Sequence, residues 1–173
     1  MKKLFVPITA SVLAGLFTVC ASAQSAPAAG GQQASATLAP TQGNAVRGNA
    51  LFKLEGDGVR VTAEVSGLTP GSHGFHIHEK GDCSAPDATS AGGHFNPLQT
   101  QHGKAGEGHA GDLPSLEADA KGNAKLDVVL KSITLVGDNS IVGRGLIVHA
   151  APDDFTTQPT GNAGARLACA VIQ

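Results

Sequence analysis

Apolar and polar residues alternate along much of this chain with a period of two. Ala34, Ala36 and Leu38 share one face, and Val59, Val61, Ala63 and Val65 share another. In the run between them, Leu51 is expected on the inward face. Alternation of this kind marks strands with one buried and one wet face. Glu55-Gly56-Asp57-Gly58 reads as a tight hairpin turn. Leu68-Thr69-Pro70-Gly71 is a second turn, because Pro presets φ and Gly accepts positive φ. Further strands are expected over residues 73–78, 116–120, 124–130, 140–148 and 165–172. Lys121-Gly122-Asn123 would close a hairpin between 116–120 and 124–130. No window carries a sustained 3.6-residue apolar stripe. About eight short strands with such turns predict an all-β fold, an antiparallel Greek-key sandwich or barrel of the immunoglobulin-like kind.

Two stretches fall outside the pattern, residues 79–114 and 150–164. Structureless loops of that length in a compact domain are usually functional or disordered, and four potential ligands and a cysteine in the first decide for function. The first belongs to a segment, 74–112, that holds five of the seven histidines. His73 sits just before it, and His149 follows the apolar run Leu146-Ile147-Val148. A segment this rich in imidazole and Gly cannot build a hydrophobic core. It reads as a metal-binding loop hung on strands.

The two ends and the charge narrow the setting. Lys2 and Lys3, an uncharged apolar run over 4–19 and Ala21-Ser22-Ala23 form the three parts of a secretory signal peptide, residues 1–23. The run is short for a membrane span and is interrupted by Pro7 and Gly15. Cys20 raises lipoprotein anchoring as an alternative, although Val19 fits that processing poorly. Residues 24–33, all Ala, Gln, Ser, Pro and Gly, read as a flexible leader, so the domain spans 34–173. Without Lys2 and Lys3 the charge is 10 − 14 = −4. There is no basic tract, no Trp and no Tyr, so nucleic acid is excluded as a partner. Loss of Cys20 leaves Cys83 and Cys169; an even count in an oxidising compartment favours a disulfide over two further metal ligands.

Spacing then divides the histidines. His76 and His78, two apart on a strand, point to the same side and can grip one ion, and His149 could be placed beside them. Three or four imidazoles without thiolates suit Cu(II), Zn(II) or Ni(II). His94, His102, His109 and Asp112 offer three nitrogens and one carboxylate, a plausible zinc set. Glycines throughout this loop let distant positions converge.

The motifs G-F-H-I-H-E (74–79), G-G-H-F-N-P (92–97), His102, His109, Gly111-Asp112 and G-N-A-G-A-R-L-A-C (161–169) together resemble copper/zinc superoxide dismutase. The resemblance runs from about residue 34 to the end of the chain. G-D-C-S-A-P-D (81–87) and T-Q-P-T-G-N-A-G (157–164) are similar to the bacterial exported, periplasmic members. It implies one copper held by His76, His78, His94 and His149, and one Zn2+ held by His94, His102, His109 and Asp112. His94 would serve both metals. It also implies a Cys83–Cys169 disulfide, a carboxylate at Asp153 linking ligands of the two metals (Asp154 being the other candidate), and a pocket arginine at Arg166. The expected reaction is 2 O2•⁻ + 2 H⁺ → O2 + H2O2 by one-electron cycling between Cu2+ and Cu+, with His94 passing a proton to the peroxide and Arg166 drawing superoxide in. His73 is expected to bond nearby backbone rather than metal.

The resemblance leaves a homodimer open, since exported members include monomers and dimers. It also leaves the steering residues open: 150–165 lacks the Lys and Glu of animal members, and Lys80 and Lys104 are candidates without a placement. A copper-delivery module of the same fold would lack a ligand or the arginine, whereas here all are present. A zinc hydrolase would need an open zinc position.

Overall fold

The computed structural model describes Met1 and residues 33–173. The expected signal peptide and leader therefore lie outside the described residues, apart from Met1 and Gln33. Among the described residues the fold is all-β, with nine strands and one 3-10 turn, Thr89–Ala91. The strands are β1 (Gln33–Pro40), β2 (Arg47–Glu55), β3 (Gly58–Ser66), β4 (Gly71–His73), β5 (Phe75–His78), β6 (Leu116–Ala118), β7 (Ala124–Leu130), β8 (Gly145–His149) and β9 (Arg166–Val171).

Seven of them form one curled antiparallel sheet in the order β5-β8-β9-β1-β2-β3-β7, and β4 pairs with β6 beside it. The bend lies at β1. Most of that strand pairs with β2, while its last two residues, Ala39 and Pro40, pair with Cys169 and Ala168 of β9. Ala34, Ala36 and Leu38 of β1, Val61, Ala63 and Val65 of β3, and Leu146 and Val148 of β8 all turn into the enclosed core. Phe52, Phe75, Leu116, Ile141 and Ile172 are fully buried there as well.

Four local expectations need correction. Leu51 is 41% exposed, while its neighbours Ala50 and Phe52 are buried. Pairing of Ala50 with Ala36 and Ala63 fixes that parity, and because the side-chain period is two, Leu51 must face outward. The strand expected over 73–78 is two strands, β4 and β5, which part at Gly74. There the chain exchanges β6 for bonds to Ala151 and His149. The expected hairpin 116–130 turns as foreseen at 119–123, but β6 pairs with β4 and β7 pairs with β3. The strand expected from Ser140 begins only at Gly145, because Ser140 and Arg144 close turns onto Gly137 and Ile141.

The two long loops are tied to the sheet. β5 is an edge strand, and an edge offers unpaired backbone groups. Here they are taken by the loop 79–114: Ile77 N–H donates to Gly111 O at 2.8 Å, Phe95 N–H to Ile77 O at 2.8 Å, and Glu79 N–H to Gly93 O at 2.9 Å. The first part of the loop is bonded to β9 by the disulfide Cys83–Cys169, which spans 86 residues of sequence.

Candidate metal centre

All residues of β5 and β8 are buried, although only one face of each meets the core. Phe75, Ile77, Leu146 and Val148 point inward. His76, His78 and His149 take the other side, beneath the two loops. Ladder-like contacts set two loop residues opposite them, with His78 facing His94 and His76 facing Asp112.

Two buried groups result. His76, His78, His94 and His149 form one, and His94, His102, His109 and Asp112 the other; within each group the ligand atoms lie within 4.8 Å of one another. His94 belongs to both.

Hydrogen bonds determine which nitrogen of each ring is free. His78 Nδ1–H donates to Gly92 O at 2.9 Å, leaving Nε2 to face His149. His149 Nδ1–H donates to Gly164 O at 3.2 Å, and its Nε2 lies 3.4 Å from His78 Nε2. His76 Nε2–H donates to Asp153 Oδ2 at 2.7 Å and leaves Nδ1 without a partner. His94 presents Nδ1 to Asp112 Oδ1 at 2.8 Å and has an unpartnered Nε2. His102 Nε2–H donates to Asp153 Oδ1 at 2.9 Å. The Nδ1 atoms of His102 and His109 approach Asp112 at 3.1 and 3.4 Å without a hydrogen bond.

Four buried imidazole nitrogens are thus left unsatisfied, two in each group. Such atoms are costly unless something occupies the space between them. The donors match metals. Four imidazoles suit copper, and three imidazoles with a carboxylate suit tetrahedral zinc, whose bonds of about 2.0–2.1 Å place neighbouring donors about 3.3 Å apart.

Electrostatics keep these donors ready to ligate. Burial pushes the His78 imidazole down to about 2 and that of His149 to about 3, assisted by neighbouring imidazoles and Arg166. Burial also lowers His76 and His109. For Asp112 and Asp153 burial alone would favour the protonated acid. Hydrogen bonds outweigh it, from His94 and the N–H groups of Gly103 and His109 on Asp112, and from His76, Phe155 N–H and His102 on Asp153. Both stay below the usual carboxylate range, as ligands and their supports must.

The metal preference, the shared ring and the enclosing β-fold point to one family. A profile of the copper/zinc superoxide dismutase family (SODC) matches residues 46–172. This chain belongs to the copper/zinc superoxide dismutase family. The superoxide dismutase [Cu-Zn] of Onchocerca volvulus is 43% identical over 148 residues, 78% of this chain and 93% of that protein. The crystal structure of the clock protein EA4 aligns with a TM-score of 0.75 at 38% identity, over 83% of this chain and 94% of that one. The enzyme is a superoxide dismutase whose cofactors are copper and zinc, and it converts superoxide to O2 and H2O2.

Other expected residues fall in distinct places. Asp153 joins rings of the two groups, whereas Asp154 is exposed and caps the turn at Thr156 and Thr157. His73 Nδ1 lies 2.8 Å from His149 O and Nε2 lies 2.9 Å from Thr69 O, so both nitrogens face backbone. Arg166 donates to Ala88 O and Gly92 O, each at 2.6 Å. It lines an open cavity of about 390 Å³ with Thr41, Asp87 and Thr89. Lys80 and Lys104 do not line that cavity; Lys104 borders another, beside Ser115 and Phe155. Among the described residues no helix is long and apolar enough to cross a membrane.

Sequence marked Gly92 only as one of the glycines that let the loop fold back. Its carbonyl receives both His78 and Arg166, so one backbone atom orients a ring of the first histidine group and the guanidinium together. Its φ is 74°, and a Cβ there would collide with the Glu79 carboxylate. The doubled glycine of G-G-H-F was the available signal.

Proposed function

We propose that the enzyme is an exported dismutase in which His76, His78, His94 and His149 hold copper, and His94, His102, His109 and Asp112 hold zinc. The observation that carries this reading is the set of four unpartnered, buried imidazole nitrogens divided between two groups that share His94. Bound copper supplies the one-electron cycling of the reaction, and zinc supplies a fixed positive charge behind His94. His94 is the one ring whose two nitrogens are both turned toward donor sets, Nδ1 to Asp112 and Nε2 to the other histidines. It therefore can carry a proton at Nε2 and release it to the departing peroxide. Asp153 fixes the tautomers of His76 and His102 through their Nε2–H bonds. Arg166, with two donors committed to backbone carbonyls, holds its remaining N–H groups in a constant orientation for a small anion.

Export, of the bacterial periplasmic kind, is supported by the signal-like pattern of residues 1–23 and by a disulfide, which persists in oxidising compartments. Antioxidant defence in the cell envelope follows from that location.

The test has two parts. Copper and zinc per chain are measured by elemental analysis, and disproportionation is assayed before and after copper removal; the expectation is one of each metal and activity lost with copper. Activity that survives full copper removal contradicts the reading, and inactivity at one copper per chain makes the protein a copper carrier. The intact mass of protein from the envelope fraction should begin at Gln24. A mass retaining residues 1–23, or lipid on Cys20, overturns cleavage after Ala23.

A further inference from the structure

Gln158 is exposed, yet its primary amide is fully engaged. Its Oε1 accepts the backbone N–H of His102 at 2.8 Å, while its Nε2 donates to His102 O at 3.0 Å and to Thr156 O at 3.2 Å. Only a carboxamide carries donor and acceptor side by side, so it can complete both backbone groups of one residue as a neighbouring strand would. His102 lies in a loop with no strand of its own, and no other backbone group among the described residues takes that place.

The surrounding segment is closed on itself. Asp154 accepts the N–H groups of Thr156 and Thr157, and Gly161 N–H donates to Thr157 O at 2.7 Å. Gly161 folds directly over the Asp153–His102 hydrogen bond at φ +66°, where a Cβ would overlap both partners. His102 is therefore held from two sides, its ring by Asp153 and its backbone by Gln158.

We infer that residues 153–161 form a clasp that fixes His102 in ligating position before zinc arrives, and that Gln158 is a positioning residue of the zinc site. The inference rests on the reading that His102 belongs to the zinc set. Without Gln158, His102 keeps only the tether on its ring, and zinc must order the loop as it binds. Partners of this kind typically change metal affinity 10–100-fold, and a single exposed amide belongs at the lower end, about tenfold. Gln158 bonds no residue of the copper set, so copper affinity stays unchanged. Asp153 touches His76 as well as His102, so Asp153→Asn weakens both metals.

The experiment uses the full metal-free chain, with zinc and copper titrated separately against a competing chelator. The variants are Gln158→Leu, Gln158→Glu and His102→Ala. Gln158→Leu should bind zinc about tenfold more weakly, and Gln158→Glu, which keeps the acceptor and loses the donor, should fall between it and the parent. Co(II) in the zinc site should show an altered absorption spectrum in Gln158→Leu. Thermal unfolding should show a larger loss in the zinc-loaded form than in the metal-free form, because weaker binding adds to any loss in the fold itself. Zinc affinity equal to the parent's in Gln158→Leu, with equal losses of Tm in both forms, overturns the inference and leaves Gln158 a loop support. His102→Ala that binds zinc as tightly as the parent overturns the zinc-site reading instead.

Discussion

On β1 and β2 one set of alternate side chains faces the core and the other faces water, whereas on β5 and β8 every side chain is buried. The two halves of the curled sheet share a core face and differ in what covers the other. Outside β1, β2 and β3 there is solvent, and residues such as Asn49, Lys53 and Glu64 stand there. Outside β5 and β8 there are two loops, and the positions that would have been wet carry His76, His78 and His149, with Ile147 packed against Ala88 and Ala91 of the first loop. Polar groups placed under such a cover need partners. Here each ring gives one nitrogen to a carbonyl or carboxylate and turns the other toward a metal site. The chemistry thus lies on what would be the wet face of an ordinary strand, with a roof built over it.

The roof itself offers the largest effect. Cys83 is exposed, so Cys83→Ser should remove the bond and little packing. Opening a cross-link of 86 residues should cost about 4–5 kcal/mol on the chain-entropy estimate, read from denaturant midpoints of the metal-free protein. A loss under about 1 kcal/mol would mean that the hydrogen bonds along β5 hold the loop without help.

Acid should separate the two halves next. In the metal-free protein, burial holds His78 near 2 and His149 near 3, against about 6.5 in the unfolded chain. Below pH 6.5 the unfolded state therefore binds more protons than the folded state, and stability falls as pH falls. Between pH 7.5 and 5.5 the two rings together should withdraw roughly 3 kcal/mol. Reloading both metals should raise stability but keep that slope, because the folded rings are already free of protons and the unfolded chain takes up the same ones. A flat stability profile in the metal-free protein would contradict the burial of the rings.

Replacing Arg166 is expected to act on rate rather than on fold. Arg166→Ala should retain both metals and lower kcat/KM for superoxide about 10–100-fold, the worth of a hydrogen bond to a charged group. An unchanged rate at low salt would remove Arg166 from substrate capture. The smallest effect belongs to the wet face: Leu51→Ala should change stability by no more than about 0.5 kcal/mol. A loss of about 2–5 kcal/mol would return Leu51 to the core.

Side chains made the two candidate ligand groups legible in sequence. His76 and His78 two apart, the Gly-rich spacing of His94, His102, His109 and Asp112, and His149 after an apolar run each carry an imidazole or carboxylate that can be counted. The turn at 55–58 was legible because Gly accepts the positive φ that a tight hairpin turn demands, 61° at Gly56. The parity of β2 was not, because Asn49-Ala50-Leu51-Phe52-Lys53-Leu54 offers apolar residues on both faces and only register with β1 and β3 decides. The exchange of partners at Gly74 and the pairing of β6 with β4 depend on which strands meet in space. Gly92 O and the backbone of His102 escaped for a simpler reason. Main-chain atoms are the same at every position, so their roles have no letter in the sequence.

The central claim is that one ring, His94, belongs to two metal sites. Its most direct test is to measure copper and zinc affinities separately in His94→Ala and in the parent. The account predicts that both affinities fall, each by tenfold or more. Loss of one metal with the other bound as tightly as in the parent would show two independent sites and contradict it.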